Sequence, residues 1–451
     1  GFQINSIISE DKEIQEAIGQ IYPDVTTTFV DEILKEISDT SIELIKEEDG
    51  ALPSIEELSR SSREAPVIKV TDAILESGVK KKASDILIEP QKDTLRLRFR
   101  IDGVLLEQNA PAKSMHPLIV SRIKVMSDLN IAEHRLPQEG RLKAAVAGRE
   151  VDFRISVLPS SWGEKVAIRI LDKNQAMLDI EKLGFDSKSI SLLEKASLYP
   201  HGMILVCGPT GSGKTTTLYS ILKFVDSPRK NIVTVEDPVE YQLEGINQIT
   251  VNSQIGLSFA SALRSILRQD PNVIMVGEIR DLDTVDIAIK AALTGHLVLS
   301  TLHTTTTAGA VARLLNMGAQ PYLISASLVS VVAQRLVRKI CPHCKEEYRL
   351  KPEIAKRLKL NMDKEKSLIF FRGKGCRQCF DSGYSGRAGI IEVLSITPAI
   401  RELIVTSVQE HVIKQKARQD GMRTLRENGL ALAWSGVTSL EEIVRVTAAD
   451  E

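Results

Sequence analysis

The sequence predicts a multidomain α/β protein, with an α+β domain followed by a parallel-sheet domain built around a phosphate-binding loop. Three observations carry this. At 451 residues the chain exceeds what one hydrophobic core supports, so two or three domains are expected. Apolar runs at 203–207, 231–235, 273–276 and 297–301, separated by helical stretches, have the βαβ rhythm of a parallel sheet. Finally, residues 208–215 read Gly-Pro-Thr-Gly-Ser-Gly-Lys-Thr directly after the first of those runs and lead into the helix-like Thr216-Thr217-Leu218-Tyr219.

The elements follow in chain order. Residues 12–22 and then 28–46 space their apolar positions as helices do, with Pro23 between them. From 46 to 66 the charge density, Gly50, Pro53 and the serines at 59, 61 and 62 read as a flexible linker. The first domain follows, from about Val67 to Asp172. In it, residues 95–101 alternate strictly between apolar and basic before Asp102-Gly103, the pattern of a strand with one face in a core that enters a tight turn. Further strands are expected at 150–158 and 165–171. These strands present arginines on their solvent-facing positions. The parallel-sheet domain begins near Gly184.

Composition narrows the function class. The chain is 43% hydrophobic and 26% charged, ordinary for a soluble protein. No apolar stretch approaches the length of about 20 residues that a membrane span needs, and no signal peptide opens the chain, so a cytoplasmic location is expected. The opening Gly-Phe-Gln carries no initiator Met, as in a trimmed fragment. The net charge of −1 conceals a division: residues 1–64 carry 16 acidic and 5 basic side chains, so the remainder is net +10. Aromatics make up 4% of the chain and do not interleave with the basic residues. Stacking platforms for nucleic acid are therefore not evident, and no nucleic-acid partner is expected.

The phosphate loop comprises Gly208, Pro209, Thr210, Gly211, Ser212, Gly213, Lys214, Thr215 and Thr216. Its glycines let successive N–H groups point at one centre, and the following helix adds its positive end to the same place. A nucleoside triphosphate is the natural occupant, with Lys214 on the outer phosphates and the Thr215 hydroxyl on Mg²⁺.

Hydrolysis requires acids at the ends of neighbouring strands, where an open parallel sheet forms its ligand crevice. Two runs end so: 231–235 in Glu236-Asp237-Pro238, and 272–276 in Gly277-Glu278-Ile279-Arg280-Asp281. One carboxylate can activate water and another can hold Mg²⁺, and both Glu236 and Glu278 are candidates for the base. The second run looks like a Walker B strand, with Glu278 where the usual pattern has Asp; the longer arm suggests metal contact through water. His296 and His303 flank the run 297–301, and a histidine there can sense a γ-phosphate.

Cys341, Cys344, Cys376 and Cys379 form two CxxC knuckles with 31 residues between them. Two such knuckles supply four thiolates for tetrahedral Zn²⁺, and disulfides are not expected in a cytosolic chain. A sizeable insertion, helix-like at 353–360, is expected between them. His343 is read as a bystander and Cys207 as a small core residue.

Taken together, the loop at 208–219, Val235-Glu236-Asp237-Pro238-Val239-Glu240, Leu263-Arg264-x-x-Leu267-Arg268-Gln269-Asp270-Pro271, Val276-Gly277-Glu278-Ile279-Arg280-Asp281 and the run Gly295-His296 through His303-Thr304 closely resemble the secretion ATPase family of type II secretion and type IV pilus systems. In that family these segments are the Walker A, Asp box, Walker B and His box, in this order. The resemblance covers about 66–451. It implies a homo-hexameric ring whose subunits hold ATP between a PAS-like N-terminal domain and a RecA-like C-terminal domain. It also implies that Glu236 activates the hydrolytic water, that Glu278 stands on the Mg²⁺ side, and that Arg154 and Arg169 are the first-domain arginines that reach the γ-phosphate.

On this resemblance the chain divides into the tail of a truncated N-terminal domain plus acidic linker (1–65), a PAS-like domain (66–175), a RecA-like ATPase domain (176–340), a tetracysteine zinc subdomain (341–380) and C-terminal helices (381–451). The tetracysteine points to the extension or assembly branch, because pilus retraction ATPases resemble the family without it. Ser161-Trp162-Gly163-Glu164-Lys165 looks more like the pilus-assembly members than the type II secretion members. The implied activity is ATP hydrolysis that powers pilin or pseudopilin assembly through an inner-membrane platform protein, at the cytoplasmic face of a bacterial inner membrane. A RecA-like nucleic-acid translocase, or a nucleotide-gated subunit without turnover, are the alternatives; the missing basic-aromatic loop disfavours the first, and the intact Lys214, Glu236 and Glu278 the second.

Overall fold

The computed structural model describes residues 43–44, 65–146, 148–172, 179–358, 368–406 and 409–447. The helix expected at 12–22 and nearly all of the linker lie outside them. The chain forms two compact units, residues 1–173 and 174–451.

The first unit is α+β. Strands β1 (Glu43–Leu44), β2 (Ala83–Pro90), β3 (Leu95–Ile101), β4 (Val104–Gln108), β5 (Gln138–Val146), β6 (Arg149–Ser160) and β7 (Gly163–Asp172) form one sheet of order β1-β5-β6-β7-β2-β3-β4. Every neighbouring pair is antiparallel. Residues 43–44, where the periodicity predicts the end of a helix, instead pair with Ala144 and Ala145 of β5; tertiary pairing overrides local propensity there. Alternation along β3 sends Leu95, Leu97 and Phe99 into a core with Ile74, Ile119, Ile123, Phe153 and Ile168, from the two helices Ala65–Lys80 and His116–Met126 and their facing strands. The Asp102-Gly103 turn forms with φ of 49° and 85°, both in the left-handed region that a two-residue hairpin requires.

Arg154 and Arg169 stand directly opposite each other on β6 and β7. They belong to a row that continues to Arg141 on β5, Asp85 on β2 and Arg100 on β3. Asp85 takes both Arg169 and Arg100 at 3.3 Å, leaving this row strongly cationic.

The second unit is an α/β layer structure. Strands β8 (Gly202–Cys207), β9 (Ile232–Glu236), β10 (Asn247–Thr250), β11 (Val273–Val276), β12 (Leu297–Leu302), β13 (Leu328–Ile340) and β16 (Tyr384–Ser395) form a sheet of order β10-β9-β11-β12-β8-β13-β16. All pairs are parallel except β13 with β16. The small ribbon of β14 (Lys345–Arg349) and β15 (Ile369–Gly373) emerges between the last two long strands. Strand β8 reads as an unbroken apolar run because both of its faces are covered: Met203, Leu205 and Cys207 enter one core, Ile204 and Val206 the other. The helix Lys214–Val225 lies on the second of these faces. Part of the insertion expected to be helical at 353–360 is the helix Pro352–Arg357.

Candidate active site

The phosphate loop leaves the carboxyl end of β8 and enters the helix at Lys214, so the helix N-terminus faces the crevice above the parallel strands. Two of its glycines are required by close approach. A Cβ at Gly208 would stand 2.6 Å from both Gln334 O and Ser212 Oγ; one at Gly213, where φ is 88°, would stand 2.9 Å from the Gln334 amide. Gln334, on β13, also accepts the Thr217 hydroxyl at 2.7 Å. The loop is thus pressed against β13.

Lys214 is buried and donates to Gly208 O at 2.9 Å and Pro209 O at 3.1 Å. Burial pushes its ammonium below the ordinary lysine value, and Glu278 is the strongest of the charges that offset this. Ser212 Oγ is buried with no hydrogen-bond partner. An orphaned hydroxyl donor, a buried ammonium and a helix N-terminus on one loop are a set that fits phosphate oxygens. Thr215 is half-buried on the first turn of the helix, where its hydroxyl would hold the metal that accompanies the phosphates.

Glu278 follows β11 and is mostly buried. It accepts Arg280 and, at 3.2 Å, His303 Nε2. Burial would raise the Glu278 carboxyl, but Arg280 and His303 outweigh it and hold the group below its usual range. Arg280 also lies 3.7 Å from Asp237, so one guanidinium links the acids at the ends of β9 and β11.

Glu236 is in a different setting. Only 3% exposed, it accepts Tyr219 Oη at 2.5 Å, Thr234 Oγ1 at 2.6 Å and Gln248 Nε2 at 3.1 Å. Its neighbours are neutral donors, and they fix the carboxylate beneath the phosphate-loop helix.

Of the two histidines, the structure brings His303 to Glu278 and leaves His296 elsewhere. His296 stands at the opposite end of β12, six strand residues away, roughly 20 Å at about 3.3 Å per residue. Its Nδ1 meets Ala291 O at 2.9 Å, in the turn that ends the helix Leu282–Leu293. Arg154 and Arg169 belong to the first unit and are described there. Sequence reasoning gave no role to Tyr219, Gln248, Arg280 or Gln334; Arg280 stands two residues from Glu278 within the same motif, while the other three meet their partners through folds of the chain that spacing does not reveal.

The four cysteines converge. Their sulfurs all lie within 4.8 Å of one another, with Cys341–Cys376 at 3.9 Å, Cys344–Cys379 at 3.8 Å and Cys376–Cys379 at 3.7 Å. A tetrahedron of zinc–thiolate bonds of about 2.3 Å has edges of about 3.8 Å, so the set fits Zn²⁺. Two backbone N–H groups, from Cys376 and Gly383, donate to Cys379 Sγ at 3.2 and 3.3 Å, as amides around bound thiolates do. His343 is exposed and outside the cluster. Cys207 is fully buried, its thiol pushed up to about 12 by burial.

The profile of the family described as "Type II/IV secretion system protein" matches residues 60–445. The type IV pilus assembly ATPase PilB of Myxococcus xanthus is 46% identical over 452 residues, covering 100% of this chain and 79% of that protein. The type II secretion system ATPase E of Vibrio cholerae is 49% identical over 396 residues, covering 88% and 78%. Among solved structures, the pilus retraction motor PilT with bound ADP is similar at a TM-score of 0.55 and 26% identity, covering 83% of this chain and 96% of that one. The Legionella pneumophila ATPase DotB shares the fold at a TM-score of 0.62 and 18% identity, covering 84% and 95%. With its phosphate loop, its strand-end glutamates and these matches, the chain belongs to the type II/IV secretion system protein family, the secretion ATPases.

Proposed function

We propose that this chain hydrolyses ATP as a homo-hexamer at the cytoplasmic face of a bacterial inner membrane. The energy drives pilin or pseudopilin assembly through an inner-membrane platform protein. The observation that carries the reading is the convergence of Lys214, Glu278 and His303 at the carboxyl ends of β8, β11 and β12.

In this reading the loop amides and Lys214 bind the phosphates, and Thr215 and Glu278 hold Mg²⁺, which supplies charge neutralisation on the phosphoryl oxygens. Glu236 orients the attacking water once its carboxylate is presented to the crevice. His303 reports the terminal phosphate to Glu278. Arg154 and Arg169, on a separate unit, bring positive charge to the phosphoryl group when the subunit closes, which ties turnover to motion. Zn²⁺ on the four cysteines is structural: a closed thiolate set leaves no open position for chemistry.

Pilus assembly is the favoured machine, because similarity to PilB over the whole of this chain accompanies the Ser161-Trp162-Gly163-Glu164-Lys165 segment. The similarity to the Vibrio cholerae ATPase supports type II secretion as the second reading. Mg²⁺-dependent ATP turnover by the purified chain, lost in Lys214→Ala, with a hexamer mass in the presence of nucleotide, tests the motor. Complementation of hosts lacking a pilus-assembly or a type II secretion ATPase separates the two machines; rescue of neither removes the transport assignment.

A further inference from the structure

We propose that Arg335 is a second phosphate-binding cation of the nucleotide site, meeting the terminal phosphate of the triphosphate beside Lys214. The inference rests on the ATPase reading above and adds a residue to it.

Position comes first. In the parallel pairing of β13 with β8, Ala333 stands opposite Cys207, the last strand residue before the phosphate loop. Arg335 therefore lies just beyond the level at which the loop begins. The carbonyl of the preceding residue, Gln334, packs against Gly208, the residue whose own carbonyl takes Lys214.

The contacts of the guanidinium follow from that place. Arg335 Nη1 donates to Gln334 O and Nη2 to Thr305 O, both at 2.8 Å. Thr305 is two residues beyond His303, which bonds Glu278. One side chain thus joins the loop after β12 to the strand beside the phosphate loop. Both partners are neutral carbonyls, and among the described residues no carboxylate forms an ion pair with Arg335. The carboxylate whose field reaches it, Glu392, is occupied by the hydroxyl of Thr307 at 2.5 Å and the amides of Thr307 and Leu425 at 3.3 Å.

The charge balance then calls for an anion. Arg335 is half-buried, and burial lowers its pKa, as it does that of Lys214, which the charge of Arg335 lowers further. Two partly desolvated cations with overlapping fields are costly unless a group of opposite charge sits between them. A terminal phosphate has that charge, and a planar guanidinium offers donors in the fork geometry that phosphate oxygens accept. The link through Thr305 also makes the His303 loop responsive to whether that phosphate is present.

The test compares ADP with ADP–beryllium fluoride, which mimics the terminal phosphate, on the purified full chain. Arg335→Gln should bind ADP within about 2-fold of wild type, lose about 10-fold or more in affinity for the beryllofluoride complex, and lose turnover in proportion. Arg335→Lys, which keeps the charge and loses the fork, should fall between the two, and carries the test alone if the glutamine variant does not fold. Equal loss for both complexes would show a merely structural pin, and wild-type affinity for both would remove any role; either overturns the inference. A wild-type chain that neither binds nor hydrolyses ATP would instead remove the ATPase reading itself.

Discussion

Tyr219 Oη donates to Glu236 Oε2 at 2.5 Å, tying the phosphate-loop helix to the end of β9. The contact is buried, and the phenol is pushed well above its ordinary pKa by burial first and by the Glu236 charge second. The phenol thus keeps its proton and remains a donor across the physiological range. Replacing Tyr219 with Phe leaves one carboxylate oxygen short of its donor, a cost of about 1–3 kcal/mol. We expect a lower melting temperature, unchanged ADP affinity, and a turnover loss of about 10-fold from the misplaced carboxylate. Turnover and stability both at wild-type level would show that the bond positions nothing.

Glu278 receives Arg280 and His303 together. Glu278→Gln should bind ATP and hydrolyse it at least about 100-fold more slowly. Wild-type turnover in that variant would remove the assignment of Glu278 to the metal side of the reaction.

Arg154 and Arg169 face each other across β6 and β7. Alanine at either is expected to lower turnover by at least about 10-fold while nucleotide affinity moves less than about 3-fold, because developing phosphoryl charge is what such arginines meet. The reverse pattern, affinity lost and turnover kept, would make them ground-state or surface charges.

Elemental analysis of protein purified without added metal should find about one Zn²⁺ per chain, falling well below one in Cys344→Ser. Chelation should lower the melting temperature, since metal affinity is folding free energy in such a site. Finding no zinc in the wild-type chain would overturn the metal assignment of the four cysteines.

Glu442 is fully buried between Arg338 and Arg445; its salt bridge to Arg338 docks the helix Leu440–Val446 against β13, and that to Arg445 lies within the helix. Burial would raise its carboxyl, but the two guanidiniums outweigh it and bring the pKa from 4.5 to about 2. A folded-state pKa below the unfolded one contributes stability at higher pH that is lost as pH falls from 4.5 towards about 2. Glu442→Gln, which leaves the largely buried Arg338 without its carboxylate, should cost about 3 kcal/mol at neutral pH and flatten the acid limb of the melting curve. An acid limb as steep as that of the wild-type chain would show that Glu442 does not carry it.

The legibility of the sequence varied with how local the signal was. The alternation at 95–101 was readable because one face of β3 is buried and the other bears Arg96, Arg98 and Arg100. The cysteine cluster was readable because two CxxC knuckles constrain their ligands within each short segment. Strand β13 was not anticipated: its apolar residues serve both faces of the sheet, so no period marks it. Two of the three donors around Glu236 come from 17 residues before it and 12 after, separations that no spacing rule connects. His296 and His303 looked equivalent in the sequence because a strand's two ends are adjacent in print and roughly 20 Å apart in space.

One strand runs from the phosphate loop to the cysteine cluster. At Gln334 and Arg335, β13 lies against the phosphate loop; seven residues after Gln334 its chain becomes the cysteine ligand Cys341. β8 pairs with this strand as far as Ala333, and β16 pairs with it from Ser330 to Ile340, so the loop end and the cysteine end are joined by laddered backbone rather than by a free loop.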